Sequence, residues 1–323
     1  MSETRRPANP EAVAIGVDIG ATAIKAALVG LQGDLRVSLQ QASPRTPAAL
    51  RDFIQSVCKR CTSPVLGVGI GCKGVIDAAT TRVSRLPGDL QFMEGRILHE
   101  LVDAGELPVC ADNDARTALV AEVLWGAARG RRNVVLLTLG TGVGGAALVD
   151  GVLVRGASGA ACHLGHVTMD MRGGLCICGN YGCLETCFSS RAIESEYFAH
   201  LHRASPALLS VDAEGRVPSA QAIFQAAADG DPSARRVLDL AFESLIAALA
   251  SFLHVFDPEV LILGGNIAAA GPQLLAPVQE QVARRTTVLL GREVPIVLQS
   301  LVGFGGVAGA AGLVFLQQRC LTI

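Results

Sequence analysis

An internal repeat constrains this chain more than any other feature. DIGATAIKAALV at 18–29 aligns with TLGTGVGGAALV at 138–149, an offset of 120 residues. Gly20 falls on Gly140, and the AALV at 26–29 falls on the AALV at 146–149. Each copy carries an apolar run, a turn at glycine and a second alternating run, the pattern of a β-hairpin. Two such units in one chain argue for two related α/β halves, and 323 residues suffice to give each a core.

The remaining segments fit that frame. The pattern predicts a strand at 35–39, a helix over 47–61, a buried strand at 65–71 and a helix over 96–104. A short strand at 108–111 ends in Asp112-Asn113-Asp114, and a helix follows over 115–128. A strand at 133–139, the glycine cluster 140–145 and a returning strand at 146–149 complete the second copy. Helices are expected over 189–200 and 219–254, with a polar surface loop at 203–218 between them. A strand before Gly264-Gly265, a strand at 294–300 and a small-residue helix from about 306 close the chain. The expected domains are 11–115 plus the helix at about 306–320, and 116–305.

Composition narrows the class. Half of the residues are hydrophobic, glycine is frequent at 36 and aromatics make up only 4%, which suits an α/β protein rich in tight turns. A formal net charge of −2 without a basic block lacks the electrostatic footprint of a nucleic-acid binder. Pro7 and Pro10 stand where a signal peptide would have an apolar run, so residues 1–12 read as a short disordered tail. The apolar segment 241–255 contains Glu243 and His254 and falls short of a membrane span. Ten scattered cysteines without an export signal point to a reducing, cytoplasmic setting. Cys58 and Cys61 form a C-x-x-C with no second pair nearby and are expected to be ordinary helix residues.

Three glycine turns follow apolar strands: Gly20 to Thr22, Gly140 to Gly145, and Gly264-Gly265. Missing side chains let backbone N–H groups approach phosphate oxygens, so the three together point to a nucleotide. Gly140, Gly142 and Gly145 also match G-x-G-x-x-G, but a strand follows where a dinucleotide site needs a helix. Asp18 on the first turn could hold a hydrated Mg²⁺, or serve as an Asx-turn residue. Asp114, at a strand end and a helix start, is either a helix N-cap or a general base for a hydroxyl proton.

The stretch GAACHLGHVTMDMRGGLCICGNYGCLE at 159–185 reads as a metal loop. It buries little surface, so a bound ion is the natural source of its order. Cys176, Cys178 and Cys183 supply three thiolates, and His163 or His166 is near enough to supply a fourth ligand. Three thiolates make a poor Lewis acid, which favours a structural Zn²⁺. Cys162 and Cys187 read as small core residues.

Taken in order, DIGAT, NDA at 113–115, TLGTGVGG, GHV, CICGNYGCLE and LILGGN resemble the ROK (repressor, open reading frame, kinase) family over 13–316. The resemblance implies an actin-like, ribonuclease-H-like fold of two α/β domains around a cleft, and in most members an ATP-dependent sugar kinase. It implies that Asp114 is the catalytic base, acting on a sugar hydroxyl, usually the 6-hydroxyl. It makes Asn113 a sugar-binding amide, Glu185 a sugar-binding carboxylate, and Gly74 part of the loop under the sugar. His166 becomes the fourth zinc ligand and a sugar contact, with Cys176, Cys178 and Cys183 completing the site. Asp18, Gly20, Thr22, Lys25, Gly140, Thr141 and Gly142 match the phosphate side, and Gly264 with Gly265 the adenine side.

The chain departs from the family on the sugar side. His163 stands where a Glu usually grips a sugar hydroxyl, which is similar to some N-acetylmannosamine kinases. Lys73 replaces a proline, and Arg85-Leu86-Pro87-Gly88-Asp89 replaces an Asn-Leu-Pro-Gly-Trp pattern. The expectation is therefore an ATP- and Mg²⁺-dependent hexose kinase with a structural Zn²⁺, acting on glucose, a related hexose or a hexosamine. An N-acylmannosamine or amino-hexose kinase is the alternative, and a sugar-responsive regulator or sensor a further one. The expected assembly is a homo-oligomer, a dimer, with no nucleic-acid or membrane partner.

Overall fold

The computed structural model describes residues 9–61, 63–86, 88, 90–204 and 218–323. Most of the tail expected at 1–12 and of the loop expected at 203–218 lies outside these residues. In chain order the elements are β1 (Val13–Ile19), β2 (Ala23–Gly30), β3 (Leu35–Ala42), α1 (Pro47–Cys58), β4 (Val65–Cys72), β5 (Val75–Asp77) and β6 (Arg82–Arg85). Next come α2 (Leu98–Val102), β7 (Val109–Asn113), α3 (Asp114–Trp125), β8 (Val134–Leu139), β9 (Val143–Val149) and β10 (Val152–Leu153). The last are α4 (Leu184–Cys187), α5 (Ser190–Ala204), α6 (Ala220–Ala228), α7 (Pro232–Phe256), β11 (Val260–Gly264), α8 (Pro272–Leu290), β12 (Ile296–Leu298) and α9 (Gly305–Gln317).

The repeat in the sequence is a repeat of topology. One five-stranded sheet has the order β3-β2-β1-β4-β7 and the other β10-β9-β8-β11-β12, the same order position for position. The offset of 120 residues maps β1 onto β8 and β2 onto β9. The returning strand β9 starts at Val143, inside the cluster expected to form a turn, so the turn is only Gly140 to Gly142. A strand follows the G-x-G-x-x-G stretch, as its alternation indicates.

The chain divides into two compact units, 1–132 with 147–162 and 300–323, and 133–146 with 163–299. In the first, β1 pairs antiparallel with β2 from Val13↔Gly30 to Ile19↔Ile24, and parallel with β4. Helix α9 covers this sheet at close range because the strands offer glycine beneath it. A Cβ on Gly16 would overlap the Val307 carbonyl, and one on Gly69 the Ala310 carbonyl. On its other side, Gly309 of α9 lets the Thr117 carbonyl of α3 approach. Helix α3 therefore belongs with the first unit, which differs from the sequence-based boundary at 115/116. Loss of any of these contacts to a side chain would force the helix off the sheet.

Helix α1 starts at a Thr46 N-cap whose hydroxyl accepts from the Ala49 N–H at 3.3 Å, with Pro47 at its first position. It ends at Cys58, earlier than the expected 61. Helix α2 is also shorter than expected, closed by Asp103 in the left-handed region at φ 48°.

In the second unit β11 lies parallel between β8 and β12, with Val260↔Val134 and Leu261↔Ile296. Helix α7 begins at Asp231, whose carboxylate caps Ser233 and Ala234, followed by Pro232. Among the described residues it is the one helix long and apolar enough to cross a membrane, with 56% of its most apolar window buried in the protein. Its buried residues recur at helical spacing (Ala234, Val237, Leu238, Ala241, Leu245, Leu249, Phe252), the stripe of a core helix.

Candidate active site

In the first unit the charge of Asp114 acts on the Asp18 carboxyl. Asp18, next to last in β1, lies opposite Lys25 on β2, and its carboxyl backs onto Gly306 in the first turn of α9. Burial, then the charge of Asp114, pushes the Asp18 carboxyl up to about 6, against the pull of Lys25. The Lys25 ammonium donates to the Gly303 carbonyl at 2.7 Å and lies 5.5 Å from the centre of the Phe304 ring. The Gly20 N–H closes its turn on the Ala23 carbonyl at 3.0 Å. Thr22 is exposed at that turn, and its carbonyl accepts from the Ser43 N–H at 3.0 Å.

At the β7–α3 junction the N-cap is Asn113, not Asp114. The Asn113 Oδ1 accepts from the Ala115 N–H at 3.0 Å, while its Nδ2 donates to the Gly74 carbonyl at 3.1 Å. Asp114 is the first residue of α3 and also accepts from the Ala115 N–H, at 2.9 Å. Burial raises its carboxyl above the usual range, opposed by that N–H and by the Lys73 charge. Gly74 sits at φ 95° with its α-carbon against the Arg85 carbonyl, where only glycine fits without strain.

A buried ion network that sequence reasoning missed holds this junction. Asp112 is fully buried and accepts from Arg116 at 2.9 Å and from Arg155 at 2.8 Å. Arg116 also donates to the Gly159 and Ala161 carbonyls, at 2.9 and 2.7 Å. The signal was an Asp–Arg pair at i,i+4, which in a sequence looks like a surface pair. Glu122, equally buried, caps Ala127, Ser300 and Leu301 N–H groups.

In the second unit the β8–β9 turn is closed by Gly140 N–H on the Gly142 carbonyl at 2.9 Å, with Thr141 exposed at its tip. Gly265, at φ 85°, packs its α-carbon on the Leu139 backbone. Its N–H reaches Gln299 at 3.3 Å, and a Cβ on Gly264 would overlap the same side chain. The glycines after β8 and β11 are thus neighbours. Glu185, on α4, directs Oε2 to the Val143 N–H at 2.9 Å.

In the 159–185 loop four candidate metal ligands come together. The ligand atoms of His166, Cys176, Cys178 and Cys183 all lie within 4.8 Å of one another. Cys176 Sγ is 3.5 Å from His166 Nδ1, and the Cys178 and Cys183 sulfurs are 3.6 Å apart. A tetrahedron with metal–sulfur bonds of about 2.3 Å has edges near ~3.7 Å, so a zinc-sized ion fits this donor set. Burial and then the neighbouring thiols push the Cys183 thiol up to about 12, the penalty that a divalent cation among them would reverse. Met171, Leu175 and Ile177 on the same loop are exposed, so apolar burial does not order it. His163 stands outside the ligand group, its ring 6.2 Å from that of His166. Cys162 and Cys187 are outside it too.

A sequence model described as the ROK family matches residues 14–317. The chain belongs to the ROK family. The glucokinase of Thermotoga maritima is 31% identical to this ROK chain, over 94% of it and 98% of the relative. An N-acetylmannosamine kinase of Escherichia coli is also 31% identical, over 79% of this chain and 84% of the relative. The crystal structure of a ROK glucokinase from Streptomyces griseus with glucose and AMPPNP superposes with a TM-score of 0.79 at 30% identity, covering 93% of this chain and 98% of that one. The fold is the actin-like ATPase fold. Against the ROK pattern, His163 directly precedes the single turn Leu164–His166, and Lys73 places its ammonium beside Gly88. Pro87 and Asp89 of the altered loop lie outside the described residues.

Proposed function

We propose that the chain is an ATP-dependent hexose kinase that phosphorylates the 6-hydroxyl of glucose or a related hexose. One observation supports this most: Asp114, next to the N-cap Asn113, is held at the start of α3 by the Ala115 N–H with its carboxyl raised by burial, the state suited to a general base. The similarity to glucokinases over nearly the whole chain supports the same reading.

The step balances simply. The Asp114 carboxylate takes the proton of the sugar hydroxyl as that oxygen attacks the γ-phosphorus of ATP. The bond from the γ-phosphorus to the bridging oxygen breaks, and ADP leaves with its electron pair. N–H groups at the Gly20 and Gly140 turns, with Thr22 and Thr141, face the phosphates, and Gly264 and Gly265 the adenine side. Mg²⁺ bound with the nucleotide would be held by the Asp18 carboxylate and would supply positive charge to the phosphate oxygens. Asn113, Gly74, His163, His166 and Glu185 hold the sugar. Zn²⁺ would be held by His166, Cys176, Cys178 and Cys183 and would fix the loop presenting that histidine, a structural role.

A second reading is supported by His163, which can donate as well as accept where a carboxylate would only accept. That favours an amino or N-acyl hexose, and the similarity to an N-acetylmannosamine kinase supports it. An ADP-release assay across hexoses and hexosamines tests both readings. ADP release with no sugar on the panel would reject the kinase; strict glucose preference unaltered by His163→Glu would reject the second reading. Ten unpaired cysteines support a reducing, cytoplasmic setting, and a homodimer is the proposed assembly, to be checked by light scattering.

A further inference from the structure

The peptide of Val143 is gripped from both sides by the metal loop and the helix that follows it. Its N–H donates to Glu185 Oε2 at 2.9 Å. Its carbonyl lies so close to the α-carbon of Gly165 that a Cβ there would overlap it. Gly165 immediately precedes the ligand His166, and Glu185 follows the ligand Cys183 by two residues. One residue into the turn from Val143, a Cβ on Gly142 would overlap the same Glu185 carboxylate. At the turn's other end the Gly140 carbonyl accepts from the Ser190 N–H at 2.8 Å, at the start of α5. Beyond its own closing bond from the Gly140 N–H to the Gly142 carbonyl, the turn is held at these points from outside. Its shape is set by the segment running from the metal ligands into α5.

We infer that Glu185 is a positioning residue for the nucleotide, joining the sugar-holding loop to the phosphate turn through the Val143 N–H. The inference rests on the proposal that the Gly140–Gly142 turn meets the phosphates. A carboxylate bonding a backbone N–H makes a charge-assisted bond, stronger than a neutral one. Oε2 is committed to Val143, and the remaining carboxylate oxygen is available to a sugar hydroxyl. A sugar drawing on that oxygen acts on the same group that shapes the turn, so sugar and nucleotide affinities are linked, each altering the other by the same factor.

The test is calorimetric titration of Mg·ADP into the full chain with no sugar present. Loss of the bond should weaken Mg·ADP about tenfold in Glu185→Ala, the effect of one charged hydrogen bond. Glu185→Asp, which keeps the charge but draws it back by one methylene, should weaken it similarly and guards against a misfolded alanine variant. Glu185→Gln, whose amide oxygen still accepts, should stay within about threefold of the parent. Hydrogen exchange should show the Val143 amide protected in the parent and in Glu185→Gln, and fast in the other two. A residue that only binds sugar would leave sugar-free Mg·ADP affinity unchanged in all three variants, and that result overturns the inference. A parent chain that does not bind Mg·ADP at all would instead overturn the nucleotide reading of the turn.

Discussion

Replacing Asp112 with Asn tests the physical account of the β7–α3 junction. Asp112 and Arg116 are both essentially inaccessible to solvent, and their ion pair is 2.9 Å long. The Arg116 Nε has no hydrogen-bond partner, so this guanidinium already sits in a poorly compensated position. Asp112→Asn keeps the shape and an acceptor but removes the buried carboxylate that pairs with that charge. Breaking a buried pair from one side costs about 3–5 kcal/mol, because the other charge is left uncompensated. For a unit of this size that corresponds to a fall in Tm of roughly 6–20 °C. Arg155 pairs with the other Asp112 oxygen, but its side chain is 37% exposed, so solvent screens it. Arg155→Met should therefore cost about 1 kcal/mol at most. Differential scanning calorimetry of the full chain at neutral pH measures both. If Asp112→Asn melts within about 2 °C of the parent, or Arg155→Met proves the more damaging, the junction is not held by the buried charge pair.

Three further outcomes follow from the same reasoning. Chelation at neutral pH should lower the melting temperature and loosen the loop around His166, and Cys183→Ala should do the same without chelator; an unchanged melt would remove the structural ion. Asp18 has a folded-state pKa of about 6, above its ordinary value of 3.8, so the folded chain binds the extra proton between those values. Stability from this group is accordingly lost as pH rises through that window, and Asp18→Asn should raise Tm at pH 7.5 but not at pH 3.5, while lowering activity. Because the Asp114 carboxyl is also raised, the acid limb of the kcat/KM profile should fall at a pH above the ordinary carboxylate range.

The frame of this protein was legible because its repeat is written in a period that backbone geometry enforces. Gly20 and Gly140 stand at equivalent turns, and alternation on either side selects a hairpin in both halves. The clustering of the three cysteines was legible for a similar reason, since their close sequence spacing already brings them together. The junction at 112–116 was only half legible. The sequence offered Asp114 as a cap or a base, and only the hydrogen bonds show that the N-cap is Asn113. Burial decides the meaning of Asp112 and Arg116, and no local pattern reveals it. The bond from Glu185 to Val143 spans 42 residues and was beyond any periodicity argument. Where domain boundaries were expected from element order, the close packing of α3 on α9 draws them differently.

The most direct test of the central claim is phosphoryl transfer by Asp114→Asn, followed as ADP release with the best sugar of the panel and compared with sugar binding by the same protein. The account predicts that turnover falls by at least about a thousandfold, the upper range for removal of a general base, while sugar affinity and the melting temperature stay close to those of the parent. Turnover retained within about tenfold, with binding intact, would contradict the assignment of Asp114 as the base.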